Sequence, residues 1–295
     1  MAVTIRQIHP LFVGEVDGVD LRQPLSPEDV AALDAGINQY GVLIFHDQQI
    51  TDQQQVAFTR NFGEIELAVG SNVTKPEERR IPVELADVSN LGRDHKLLGK
   101  DDRQRMFNLG NRLWHSDSSF RWVSSKFSLL SGRAVPRSGG NTEFADMRSA
   151  YDALDDETKD KIEDLICEHS LIYSRAQLGF TDLTDEERKT FAPVQQRLVR
   201  RHPQTGRRSL FLSSHIGTIV GWLVPEARAF IRDLMEHATQ RQFVHAHVWR
   251  QWDLVWWDNR QTMHRVRPFK DNDEVRDMRR TTVAGEAPTV MRAVA

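Results

Sequence analysis

Short apolar strand runs sit at both ends of this 295-residue chain, and helical patterns fill the middle. One run opens the chain around Phe12 to Val19, followed by "GVLIFH" at 41–46, "FSLLSG" at 127–132 and "GGNTEFADM" at 139–147. Others return as "SLFLSS", "FVHAHVWRQWDLVWWD" and "MRRTTVAG" beyond residue 208. Between them, "RSAYDALDDETKDKIEDLI" and "PEARAFIRDLMEHATQ" carry apolar residues at helical spacing. Strands at both ends that close over helical insertions predict an α+β fold, with a double-stranded β-helix (jelly roll) core and flanking and inserted helices. No repeat, low-complexity tract or Gly/Ser linker divides the chain, so 1–295 is expected to form a single domain.

Local signals place the remaining elements. In "SPEDVAALDAGINQY", Ser26 is the expected N-cap and Pro27 suits the first helical position, with Val30, Leu33 and Ile37 on one face. "TDQQQVAFTRNFG" predicts a second capped helix ending at Gly63. The short Arg-Gln-Trp-Asp turn in "HVWRQWDLVWW" predicts a hairpin between its two apolar runs. Residues 66–106 are polar and irregular except for "VELADVSN"; a long loop of this kind is usually functional, often as a lid.

Composition narrows the class. A net charge of −3 supplies no basic field for nucleic acid or an anionic membrane surface, and neither partner is expected. No apolar run reads as a signal peptide or a membrane span. A single cysteine, Cys167, rules out an internal disulfide and a cysteine-based zinc site, and a reduced cytoplasm is the simplest expected home.

The chemistry concentrates in "LWHSDSSF". If this stretch is a strand, His115 and Asp117 share a face. His264, after the turn-rich "DNR" of "WDNRQTMHRVRP", can supply a third ligand if the two segments meet. Two histidines and one carboxylate with open positions suit non-haem Fe(II) and oxygen chemistry, and zinc can use the same donors. His-x-Asp alone is a weak motif; its ordinary reading is a solvated pair. His245 and His247 also share a strand face, whereas His9, His46, His95 and His237 stand singly and read as structural or surface residues.

Taken in order, "LWHSDSSF", "GGNTEFADMRSAYDAL", "WDNRQTMHR" and "RDMRRTTVAG" resemble the TauD/TfdA family of Fe(II)- and 2-oxoglutarate-dependent dioxygenases. The resemblance runs from "HPLFVGEVDGVDLRQPL" to "RRTTVAG", and "ELADVSN", "FADMRSAYDAL" and "EHATQRQFV" look most like its herbicide-degrading members. It implies His115, Asp117 and His264 as iron ligands, Thr142 on a carboxylate of 2-oxoglutarate and Trp257 beside that cosubstrate. It implies Arg280 on the distal carboxylate, with Arg276 near the cosubstrate's other end or the substrate anion. A guanidinium can grip a carboxylate with two hydrogen bonds, and residues 276 and 280 share a strand face, from which Arg279 points away.

The implied cofactors are Fe(II), 2-oxoglutarate and O2. The implied reaction hydroxylates a carboxylate-bearing aryl ether such as 2,4-dichlorophenoxyacetate beside the ether oxygen, and the hemiacetal collapses to a phenol and glyoxylate, with succinate and CO2. Asp117 favours hydroxylation, since related halogenases carry Gly or Ala there. Asn111, His215, Lys75 and Arg79 are candidates to hold a small anionic aryloxyalkanoate, with "ELAVGSNVTKPEERR" and "LFLSSHIG" bordering the pocket. The family also suggests a homo-oligomer. The alternatives are a taurine, organosulfonate or alkyl sulfate dioxygenase, a zinc hydrolase, or a metal-binding jelly roll without oxygenase activity.

Overall fold

The computed structural model describes residues 2–68 and 73–291. Its core is the expected double-stranded β-helix, two sheets facing each other. The larger sheet runs in the order Thr4–Gln7, Gly14–Asp17, Val42–Phe45, Leu254–Asp258, Phe127–Ala134, Asp277–Val283, Ala86–Asp87. The smaller one places Thr142–Asp146 between Val244–His247 and Thr262–Val266.

The central strand Leu254–Asp258 shows why "LVWWD" is apolar throughout. Val255 and Trp257 point between the sheets, against Phe144, Leu130 and Met278. Leu254 and Trp256 point outward beneath Leu33, Ile37 and Phe58 of the helices Pro27–Tyr40 and Asp52–Arg60. Successive side chains alternate faces, and here both faces are covered. Both helices start as their caps predict, with Ser26 Oγ accepting from the Asp29 N–H and Thr51 completing a capping box with Gln54.

The expected hairpin across Arg250–Asp253 does not form. The chain does turn there, with the Asp253 N–H donating to the Arg250 carbonyl at 3.2 Å. Yet Val244–His247 pairs with Thr142–Asp146 in the smaller sheet, while Leu254–Asp258 is flanked on both edges by Val42–Phe45 and Phe127–Ala134. A strand with both edges taken cannot also pair with its neighbour in sequence, so the turn is a corner between sheets. "SLFLSS" is likewise strand only over Arg208–Leu210. From Phe211 the chain leaves regular structure, and the Ser214 N–H donates to the Trp114 carbonyl at 2.8 Å. That bond ties the His215 loop to the His115 segment.

The insertion after the Thr142–Asp146 strand builds its own sheet from Ile166–His169, Val194–Arg197 and Ile216–Ile219. The helix Val224–Ala238 covers it with Ala227, Ile231, Leu234 and Ala238 at spacings of three and four residues. Among the described residues no helix is long and apolar enough to cross a membrane.

Candidate active site

His115 and His264 meet as a single antiparallel bridge, each backbone N–H donating to the other's carbonyl at 3.0 and 2.8 Å. The segment is therefore not the strand expected around "LWHSDSSF". It ends at His115 and enters a turn in which Ser118 adopts φ +53°. The turn, rather than strand alternation, returns Asp117 to the histidines. It is pinned by the Asp117 N–H to Asn259 Oδ1 at 3.1 Å, Ser125 Oγ to the Asp117 carbonyl at 2.9 Å and Ser116 Oγ to the Thr262 carbonyl at 3.1 Å.

Asp117 Oδ1 lies 3.9 Å from His115 Nε2, and Oδ2 lies 3.8 Å from His264 Nε2. One potential ligand atom from each of the three residues falls within 4.8 Å of the other two, and all three side chains are buried. Two donors each about 2.1 Å from one ion sit at most about 4.2 Å apart, and both carboxylate–imidazole distances fall within that limit. His115 donates its Nδ1–H to the Leu113 carbonyl at 2.7 Å, which turns the Nε2 lone pair toward Asp117. His264 Nδ1 has no hydrogen-bond partner among the described residues, and its ring is wedged beside Trp257 at 4.6 Å between centroids.

The electrostatics suit the same purpose. Burial lowers the pKa of His115 and takes that of His264 well below its usual value, so both imidazoles are neutral donors. Burial would raise Asp117, but the charged Arg280 beside it, helped by the Ser128 hydrogen bond, brings it down to about 2. Its Oδ2 also accepts from Ser128 Oγ at 2.7 Å, and Ser128 in turn accepts from Asn259 Nδ2 at 2.9 Å. Ser128 and Asn259 went unnoticed in the sequence because their role comes only from where two distant strands meet.

Two clefts open onto this set. The first, roughly 830 Å³ including its open mouth, is lined by Thr142, Trp257, Arg276 and Arg280 beside both histidines. Thr142 Oγ1 accepts from Trp249 Nε1 at 2.9 Å, which leaves the threonine hydroxyl hydrogen free to donate. Arg276 is only 4% exposed, has no carboxylate partner among the described residues, and burial lowers its pKa to about 10. Its one side-chain hydrogen bond goes to the Val88 carbonyl at 3.4 Å.

Arg280, the expected distal clamp, lines the first cleft with Arg276. Its Nη1 donates to Asp117 Oδ1, within the ligand set itself, and it lines both clefts. Arg279 faces outward and pairs with Asp52.

The second cleft shares His115 and Arg280 with the first and adds Asp117. Phe107, Phe120, Leu171, Asn111, His215 and Arg175 line it. Asn111 borders both clefts, and His215 is buried with its Nδ1 2.9 Å from Ser174 Oγ. Lys75 and Arg79 are not brought to either cleft. Lys75 is exposed, and Arg79 donates to the carbonyls of Ala68 at 2.7 Å and Leu85 at 3.2 Å, bracing its own loop. Residues 69–72 of the expected pocket-bordering loop lie outside the described residues. The His-x-His pair does not join a metal-binding group; His247 instead bonds Asp253 at 3.0 Å. Arg175 was not anticipated, since nothing in "HSLIYSR" separates it from the chain's other arginines.

Residues 4–282 match the family described as taurine catabolism dioxygenase TauD, TfdA family. The chain belongs to the TauD/TfdA family. The alpha-ketoglutarate-dependent 2,4-dichlorophenoxyacetate dioxygenase of Cupriavidus pinatubonensis is 41% identical over 287 residues, which cover 97% of this chain and 99% of that protein. The (S)-phenoxypropionate/alpha-ketoglutarate-dioxygenase of Sphingobium herbicidovorans is 36% identical over 293 residues, covering 97% and 96%. A crystal structure of AAD-2 in complex with Mn(II) and N-oxalylglycine has a TM-score of 0.96 at 60% identity, covering 98% of this chain and all of that one. As a family member the chain is an oxidoreductase that uses Fe(II), 2-oxoglutarate and O2.

Proposed function

We propose that the enzyme oxidises a carboxylate-bearing aryl ether at the carbon between the ether oxygen and the carboxylate, and that His115, Asp117 and His264 hold the iron. The observation that carries this reading is a second cleft, both cationic and aromatic, opening on the same ligand set as the dicarboxylate cleft. The relatives named as acting on phenoxy acids support it. Fe(II) with 2-oxoglutarate supplies the oxidising chemistry: one atom of O2 enters succinate as CO2 leaves, and the other enters a substrate C–H bond.

The protein's part is to bind, orient and exclude water. 2-Oxoglutarate would bring a second carboxylate besides the end that chelates the metal, and that carboxylate needs a cation of its own. Arg276, buried beside Thr142 and without a counter-anion, fits that carboxylate. Arg280 is already engaged by Asp117, which leaves Arg276 as the unpartnered guanidinium of this cleft. We therefore exchange the expected roles. Arg276, with the Thr142 hydroxyl, clamps the cosubstrate, while Arg280 keeps Asp117 ionised and oriented. Trp257 walls this cleft and fixes the His264 ring. Hydroxylation of an aryloxyacetate gives a hemiacetal, which collapses to a phenol and glyoxylate.

Phenol release from phenoxyacetate, compared with sulfite release from taurine under the same conditions, tests the reading. Phenol formation dependent on Fe(II) and 2-oxoglutarate is expected; sulfite alone would overturn it.

A further inference from the structure

Arg175 is a buried cation for which the fold provides no anion. It is 5% exposed, and no carboxylate among the described residues pairs with it. Its Nη1 donates to Ser174 Oγ at 3.0 Å, and its Nε has no partner. The guanidinium lies over the Phe107 ring at 4.3 Å. A Cβ on Gly110 would come within 2.3 Å of the Arg175 Cζ, so only glycine leaves room for the guanidinium there. Burial brings its pKa down to about 9, still charged at neutral pH. An aromatic face compensates a desolvated cation only in part, and an unpaired buried charge is strongly destabilising. A cation buried in this way is set to pair with an anion that enters the cleft.

We propose that Arg175 is the anchor for the carboxylate of the aryl ether substrate, holding it in the cleft walled by Phe107 and Phe120, which Arg276 does not line. The assignment rests on the substrate reading above and names the residue that reads its charge. The positioning is built in. Ser174 Oγ donates to the Leu171 carbonyl at 3.1 Å and so receives both Arg175 Nη1 and the Nδ1–H of His215. His215 thus presents an acceptor, Nε2, to the cleft and acts on the anion through Ser174 rather than by direct donation. With Arg276 in the first cleft and Arg175 in the second, each of the two anionic reactants meets its own buried guanidinium, and neither has to displace Arg280 from Asp117.

The test is calorimetric binding of phenoxyacetate and of neutral phenoxyacetamide to protein loaded with Mn(II) and N-oxalylglycine, which cannot turn over. Arg175→Gln is expected to weaken phenoxyacetate binding by roughly tenfold to a hundredfold, erase most of the preference for acid over amide, and leave the affinity for N-oxalylglycine unchanged. Arg175→Lys should recover part of the preference. Gly110→Ala, which keeps the charge but crowds the guanidinium, should also lose it, so the result does not depend on how well one variant folds. An unchanged acid-over-amide ratio in Arg175→Gln would overturn the assignment while leaving the substrate reading intact. Failure of the unaltered protein to bind phenoxyacetate would instead sink the substrate reading, and this assignment with it.

Discussion

Arg276 and Arg175 are both buried guanidiniums without a carboxylate partner among the described residues, yet the clefts they line are built from opposite kinds of backbone. On the Arg276 side the walls are sheet: Thr142 begins a strand of the smaller sheet, Trp257 lies in Leu254–Asp258, and Arg276 directly precedes Asp277–Val283. On the Arg175 side the walls are one-turn helices and irregular chain, from Arg103–Asn108, Leu171–Ala176 and the Phe211–His215 loop. A cosubstrate that never changes can be met by sheet geometry. A substrate that differs between relatives is better met by loops and short helices, which can be rebuilt without disturbing the jelly roll.

The most damaging way to break this comparison is to remove what the two clefts share. Asp117→Ala should abolish product formation at every 2-oxoglutarate concentration and eliminate Mn(II) binding measured by electron paramagnetic resonance. Its melting temperature should also fall, because Arg280 is left without its partner. Chelation of the unaltered enzyme should likewise stop turnover, and added Fe(II) should restore it. Retained Mn(II) affinity in Asp117→Ala would mean that the metal sits elsewhere and that the clefts do not meet at it.

The next effect separates the arginines. Arg276→Ala should weaken 2-oxoglutarate binding by about 1.5–3 kcal/mol, on the order of tenfold to a hundredfold, with Mn(II) affinity intact. Arg276→Lys should recover only part, since an ammonium cannot make the two-pronged contact. Arg280→Ala should instead lower metal affinity by loosening Asp117. If Arg280→Ala cost cosubstrate affinity and Arg276→Ala did not, the first cleft would be assigned the wrong way round.

A smaller effect sharpens how the sheet supports the ligands. Ser128 and Asn259 hold Asp117 from two adjacent strand ends, and Asn259 Oδ1 also accepts from Trp257 Nε1 at 3.0 Å. Ser128→Ala should lower metal affinity by roughly tenfold, at the weak end of what such supporting hydrogen bonds contribute. Phenoxyacetate binding should not change once Mn(II) is saturating. A selective loss of phenoxyacetate affinity would show that the serine acts on the second cleft.

How much could be read in the chain follows the same division. The helices starting after Ser26 and Thr51 and the strands around Leu43, Leu129 and Thr281 carry their signals locally, in caps and apolar runs. So do the three metal-ligand candidates, through the resemblance of their motifs. What sequence could not carry is pairing. The Arg250–Asp253 turn has hairpin chemistry, and only the occupied edges of Leu254–Asp258 exclude the hairpin. The division of roles proposed for Arg276 and Arg280 is not legible for a similar reason. Their spacing sets a shared face but not which of them Asp117, more than 150 residues earlier, will capture. Arg175 is beyond sequence reading altogether, because its meaning is a missing partner.

The smallest effects are expected from Lys75 and Arg79, and they decide whether the second cleft ends where its aromatic walls do. Lys75 is exposed and borders neither cleft, so Lys75→Ala should leave the affinity for phenoxyacetate and for 2-oxoglutarate within about twofold, as surface substitutions usually do. Arg79 joins Ala68 to Leu85 through its guanidinium, so Arg79→Ala should destabilise that loop by about 1–3 kcal/mol, read by thermal melting. Its affinity for phenoxyacetate, measured well below the melting point, should not change. A tenfold loss in Lys75→Ala would instead place a cation from the 66–80 loop against the bound anion. Arg175 would then share that anion with a residue the described geometry keeps apart from it, and the substrate side would no longer be a closed counterpart of the Arg276 cleft.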